Sequence, residues 1–170
     1  MWTELLYAIP LGITLSFAAG PIFFVIIETS INRGRSSALS LDAGAVIADI
    51  VFIALAYYGS NAFIDYLKNN TWLVIISGLA VAGFGVYYIR RSRQPGQFSQ
   101  SITIKRKRFL FVKGFLLNFL NIGVLFFWIT TTVAVGAMLD HNPNKMLWFY
   151  IATLGTYLVI DLFKIYFANK

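Results

Sequence analysis

Few residues of this 170-residue chain could do chemistry, and the most telling is Asp49, a carboxylate near the middle of an otherwise apolar stretch from Leu39 to Ser60. An ionisable side chain at the centre of a lipid-embedded helix is costly and faces protein, water or a charged partner, so Asp49 is a functional candidate. Asp42 stands seven residues earlier, two helical turns along the same face, but close to the end of the stretch where solvent would reach it. Asp161 interrupts a second such stretch, Met146 to Ala168, and has Lys164 three residues on. A local ion pair would account for its tolerance there as well as a polar pathway would. Lys164 could equally snorkel toward headgroups. Glu28, with Arg33 nearby, reads as interfacial.

The uncharged candidates fall in two places. Gly20-Pro21 lies just past the middle of an apolar run from Leu5 to Ile27. Proline removes one helical hydrogen bond and glycine weakens the same turn, so the helix should kink or unwind there. The freed backbone groups are tolerated in lipid only where they line a cavity, and free N–H groups at the start of the second half-helix would attract a carboxylate. Asn118 and Asn121 lie in the run Gly114 to Leu139, where continuous helix would set them on one face. An amide donates to a carboxylate and accepts from an ammonium, which suits a zwitterion; the same two residues could instead hydrogen-bond between helices as structural glue. Gly12, Ser16 and Ala19 form a comparable small or polar stripe in the first run, so Ser16 joins the candidates.

The elements that must hold these residues are membrane helices. The apolar residue types make up 58% of the chain against 12% charged, more than polar surface could cover in a soluble domain. Three uncharged runs, Leu5 to Ile27, Asn69 to Ile89 and Gly114 to Leu139, reach the length that crosses a bilayer, about 20 residues. With the two acid-bearing stretches they make five predicted spans. Backbone groups in lipid must be satisfied within the segment, so the spans are helices and the fold class is all-α integral membrane. The N-terminal Met1-Trp2-Thr3-Glu4 is without basic residues and the first run is long for a signal peptide, so it is expected to stay as span one.

The net charge of +7 follows the spans rather than a nucleic-acid surface. Arg33 and Arg35 follow span one; Arg90, Arg91, Arg93, Lys105, Arg106, Lys107, Arg108 and Lys113 lie between spans three and four; the alternate loops hold only Lys68 and Lys145. The positive-inside rule then puts the N-terminus outside and the basic loops, 29–38 and 90–113, in the cytoplasm. Lys105-Arg106-Lys107-Arg108 could also touch anionic membrane lipid. No nucleic-acid partner is expected, and the sequence leaves a homo-oligomer open.

Gly12-Ile13-Thr14-Leu15-Ser16-Phe17 is echoed by Gly114-Phe115-Leu116-Leu117-Asn118-Phe119, and in the next span of each half a glycine precedes an acid, Gly44 before Asp49 and Gly155 before Asp161. Units that start three spans apart enter the membrane from opposite sides, the inverted repeat of many secondary transporters. This divides a single polytopic domain, 1–170, into a first repeat of three helices at 1–90, a basic loop at 91–108 and a second repeat at 109–170 that lacks its third helix.

The absence of cysteine removes thiol redox chemistry and thiolate metal sites, and His141, the only histidine, sits in the polar turn Asp140-His141-Asn142-Pro143-Asn144. No metal or cofactor is expected. No serine has a histidine within a span to activate it, so the chain does not read as an enzyme. Three readings stand: a secondary transporter of small solutes, an exporter of inorganic ions, and a membrane scaffold subunit that transports nothing.

Over essentially its whole length the chain resembles the LysE/RhtB family of bacterial amino-acid exporters. The resemblance is carried by Gly20-Pro21, Gly34, Gly44, Asp49, the run Gly114-Phe115-Leu116-Leu117-Asn118-Phe119-Leu120-Asn121 and Phe126-Phe127-Trp128. It implies two inverted halves of about six spans in total, a bacterial cytoplasmic membrane, export of amino acids or related metabolites, and coupling to the proton motive force. On that reading Gly20, Pro21, Ser16, Asn118 and Asn121 line the substrate pathway, and Asp49 and Asp161 carry protons. Where the family often has Pro-Gly-Pro and Asn-Pro-Lys, this chain has Ala19-Gly20-Pro21 and Asn121-Ile122-Gly123.

Overall fold

The computed structural model describes residues 6–17, 21–68 and 107–168, with side chains for all of these except Pro21 and 60–68. Gly20, the predicted third span and most of the basic loop lie outside the described residues. Among the described residues the chain forms helices α1 (Ala8–Phe17), α2 (Pro21–Arg33), α3 (Arg35–Lys68), α4 (Lys107–Phe119), α5 (Ile122–Met138) and α6 (Pro143–Ala168). By internal packing it divides into two units, Met1–Tyr58 with Lys105–Lys170, and Gly59–Ile104. Of the second, residues 59–68 are described, as the helical continuation of α3. All the packing below belongs to the first unit.

Among the described residues two helices are long and apolar enough to cross a membrane alone, α3 over Arg35–Gly59 and α6 over its whole length. Two further spans are broken: α1 and Ile22–Arg33 meet at 68°, and α4 and α5 at 65°. The chain is an all-α membrane protein. The first break lies between Phe17 and Ile22, the stretch in which one was anticipated, and Pro21 takes the first position of α2, where its missing N–H has no helical partner to lose.

The second break corrects the expectation of one continuous helix from Gly114 to Leu139. No proline marks it. Asn121 adopts an extended conformation (φ −86°, ψ 94°) and its side chain accepts from the Gly123 N–H at 3.1 Å, acting as the N-cap of α5. Asn118 and Asn121 therefore do not share a helix face: Asn118 is buried in the last turn of α4, and Asn121 sits half-buried at the corner.

Connections elsewhere are tight. Gly34 joins α2 to α3 with φ 81°, a left-handed conformation that costs glycine little; its N–H donates to the Ser30 carbonyl while its own carbonyl accepts from Ser37 and Ala38. Asp140 and His141 take φ 53° and 52° in the turn between α5 and α6, and the His141 N–H closes that turn on the Gly136 carbonyl at 2.8 Å.

Two apolar clusters hold the helices together. One gathers Leu15, Phe52, Val124, Trp128, Phe149 and Tyr157 from α1, α3, α5 and α6; the other gathers Ile26, Leu41, Leu110 and Ile165 from α2, α3, α4 and α6. Both α1 and α2 pack along α6. Leu55, Leu120, Val159 and Phe163 remain exposed, as expected of a surface whose solvent is lipid.

Candidate functional site

The site is set by where helices cross closely. A Cβ on Gly114 would overlap the Leu41 carbonyl oxygen, and one on Gly44 would overlap the Phe111 carbonyl, so α3 and α4 pass backbone against backbone through reciprocal glycines. Gly12 gives the same closeness between α1 and α6: its Cβ would lie 2.5 Å from the Thr153 carbonyl oxygen and 2.6 Å from the Thr156 Cβ. Gly114 on Leu41 thus corresponds to Gly12 on Thr153. In that register Asp49 and Asp161 each stand eight residues beyond the crossing, and the counterpart of Gly44 is Thr156. The sequence echo had paired Gly44 with Gly155, one residue off, but among the described residues nothing lies within 4 Å of a Cβ at Gly155.

Four residues past each crossing glycine, a polar side chain meets the acid of the facing helix. Ser16, after Gly12, donates its hydroxyl to Asp161 Oδ1. Asn118, after Gly114, donates Nδ2 to the Ala45 carbonyl at 2.9 Å and lies beside the Asp49 carboxyl. Helical spacing on α1 and α4 brings these groups onto the faces that the glycines press against α6 and α3.

Three carboxyl groups converge there, with Asp42, Asp49 and Asp161 exposed to 2%, 1% and 1%. Trp128 Nε1 donates to Asp49 Oδ1 at 2.9 Å, and the Tyr157 hydroxyl donates to Asp42 Oδ1 at 3.2 Å. The Asp42 and Asp161 carboxyls are neighbours in this cluster. Lys164 Nζ lies 2.6 Å from Asp161 Oδ1 and donates to the Ser16 carbonyl at 2.6 Å. It also stands over the rings of Phe17 and Phe23, at 5.4 and 4.8 Å from their centroids. One ammonium among three carboxyls leaves the cluster neutral only when two of them are protonated. Such a site can exchange protons, and it can accept a further cation in their place.

Of the predicted residues, Ser16, Asn118, Asp49 and Asp161 are brought into this cluster. Asn121 stands apart as a cap, and Pro21 is described only as the first backbone position of α2. Asp42 is not solvated at a helix end but buried against α6, and its seven-residue spacing from Asp49 was the signal. Trp128, Tyr157 and Lys164 carried no such signal, because each meets its acid through tertiary contact or, for Lys164, reads as an ordinary intrahelical pair. Glu28 is exposed, in keeping with an interfacial position, and His141 is exposed in its turn. Among the described residues no group of three or more His, Cys, Asp or Glu has the geometry of a metal site.

Comparison with known proteins agrees with this architecture. No solved structure matches the chain. It is 26% identical over 141 residues to a Bacillus subtilis (strain 168) protein named "Putative amino acid efflux protein YcgF", covering 82% of this chain and 68% of that one. The family model of the LysE type translocators matches residues 13–168, which include both helix breaks and every residue of the buried cluster, and the chain belongs to that family.

Proposed function

We propose that the protein exports amino acids or closely related metabolites across the cytoplasmic membrane of a bacterium, in exchange for protons. The observation that carries the proposal is the buried cluster of three carboxyls and one lysine set against the ends of two broken spans. Broken helices at membrane depth expose backbone groups suited to a charged solute, and transporters built from inverted repeats place their sites there. The matched crossings, Gly12 with Ser16 on Asp161 and Gly114 with Asn118 on Asp49, support two inverted repeats rocking about a shared site. The name of the Bacillus subtilis relative, an amino acid efflux protein, supports amino acids as the solute class.

Solute enters from the cytoplasm, with its carboxylate at the N-terminal end of α2 beside Pro21 and Asn118 within reach. Asp49 and Asp161, with Asp42, take up and release the coupling protons. The distribution of basic loops supports an external N-terminus. No residue acts as an enzyme catalyst, and no cofactor takes part.

The test is counterflow in proteoliposomes preloaded with a panel of unlabelled amino acids. Wild type exchanges one class, and Asp49→Asn folds but loses proton-coupled export. Retained proton-driven export in Asp49→Asn would remove Asp49 from the mechanism. Tolerance of apolar replacements at both Asp49 and Asn118 would favour a scaffold subunit.

A further inference from the structure

Lys164 occupies an environment more like a ligand's than a salt bridge's. Its ammonium is held by the Asp161 carboxylate, by the Ser16 carbonyl and by the faces of Phe17 and Phe23. Ser16 lies in the last turn of α1, and its carbonyl accepts from the Lys164 ammonium. Carboxylate, helix-end carbonyl and aromatic faces together are the elements that bind a free ammonium. They come from α1, α2 and α6 and meet at the break in span one, whereas an ordinary i,i+3 pair would need only Asp161.

We infer that this is the ammonium subsite of the exporter, and that Lys164 fills it as a tethered stand-in when no solute is bound. The inference rests on the export reading above and adds the group that the site recognises, a primary ammonium. The arriving solute displaces Lys164 from Asp161 and the Ser16 carbonyl, and the lysine returns when the solute leaves. Two features permit the swap. Asp161 keeps the Ser16 hydroxyl as a donor when the lysine departs, so its carboxyl is not orphaned. Lys164 has a long, flexible side chain that is 12% exposed, so its ammonium has somewhere to go. The exchange replaces one positive charge by another and leaves the charge of the buried cluster unchanged.

The test uses ethylammonium chloride as the probe on the full-length protein in detergent, with the thermal midpoint as readout. In Lys164→Ala the subsite is vacated, and ethylammonium raises the midpoint saturably. Tetramethylammonium, which has no N–H to give the Ser16 carbonyl, does not raise it, and neither does ethylammonium on Lys164→Ala/Asp161→Asn or on wild type at the same concentration. In proteoliposomes the KM of Lys164→Ala for its amino acid falls at least about threefold, because the internal competitor is gone. A folded Lys164→Ala that ignores ethylammonium would make Lys164 a fixed cap of α1 and overturn the inference.

If Lys164→Ala does not fold, wild type decides. High ethylammonium inhibits amino-acid counterflow competitively, and the N-acetylated amino acid is not exchanged. Exchange of the N-acetylated solute as readily as the free one overturns the ammonium subsite while leaving export intact. Absence of any exchange by folded wild type overturns the export reading, whatever ethylammonium does to Lys164→Ala.

Discussion

Replacing Gly114 by alanine tests the packing on which the site depends. The new methyl would overlap the Leu41 carbonyl oxygen, part of the backbone of α3, which cannot rotate aside as a side chain can. The helices must separate, an overpacking cost of about 1–3 kcal/mol. Separation also stretches the 2.9 Å bond from Asn118 to the Ala45 carbonyl, and interhelical bonds of this kind in membranes are worth about 0.6 kcal/mol on average and about 1.7 at most. Alanine returns about 1 kcal/mol of helix propensity relative to glycine. The net is a loss of about 2 kcal/mol, a little under half the stability of a marginal domain of about 5 kcal/mol. Gly155→Ala gains the same propensity, but among the described residues nothing lies within 4 Å of its Cβ, so it should stabilise by up to about 1 kcal/mol. The two alanines thus act in opposite directions. Reversible unfolding in mixed micelles of rising dodecyl sulfate fraction, followed by circular dichroism, measures both. Gly44→Ala combined with Gly114→Ala should cost less than the two losses added, because the first methyl already parts the helices. A Gly114→Ala protein as stable as wild type, or a Gly155→Ala protein destabilised as strongly as Gly114→Ala, would refute the crossing described above and restore the register that pairs Gly155 with Gly44.

Two further substitutions probe the residues around the breaks. Trp128→Phe removes the indole donor from Asp49 and leaves a smaller ring at a fully buried position, for a loss of about 1–3 kcal/mol in the same unfolding assay; an unchanged stability would mean that the indole hydrogen bond contributes nothing. Asn121→Ala should cost about 1 kcal/mol by removing the cap of α5, while Asn121→Ser, which can still cap, should keep both stability and counterflow. Loss of transport in a stable Asn121→Ser protein would return Asn121 to the substrate pathway.

Some of this was legible in the chain alone because it follows from the solvent. Apolar runs of bilayer length must be helices whatever their tertiary neighbours, and an acid in the middle of such a run must find a partner, so the fold class and the candidacy of Asp49 and Asp161 follow from composition and position. Gly20-Pro21 announced a break because proline acts through its own covalent structure. The break at Asn121 was hidden for the converse reason. A capping asparagine is chemically the same residue as a hydrogen-bonding one within a helix, and only the extended backbone at Asn121 separates the two roles.

The solvent, the helices and the acids could be read from local segments, since each depends on the transfer free energy or covalent geometry of a short stretch of chain. The partners come from the packing of helices against one another. The register in which Gly12 presses on Thr153 and Gly114 on Leu41 depends on which backbones can approach, and it moves the echo of Gly44 from Gly155 to Thr156. The same register buries Asp42 against Asp161, brings Tyr157 and Trp128 onto their carboxyls, and lays Lys164 across the end of α1. These contacts join residues 79 to 148 positions apart, a separation over which local sequence carries no information about who meets whom.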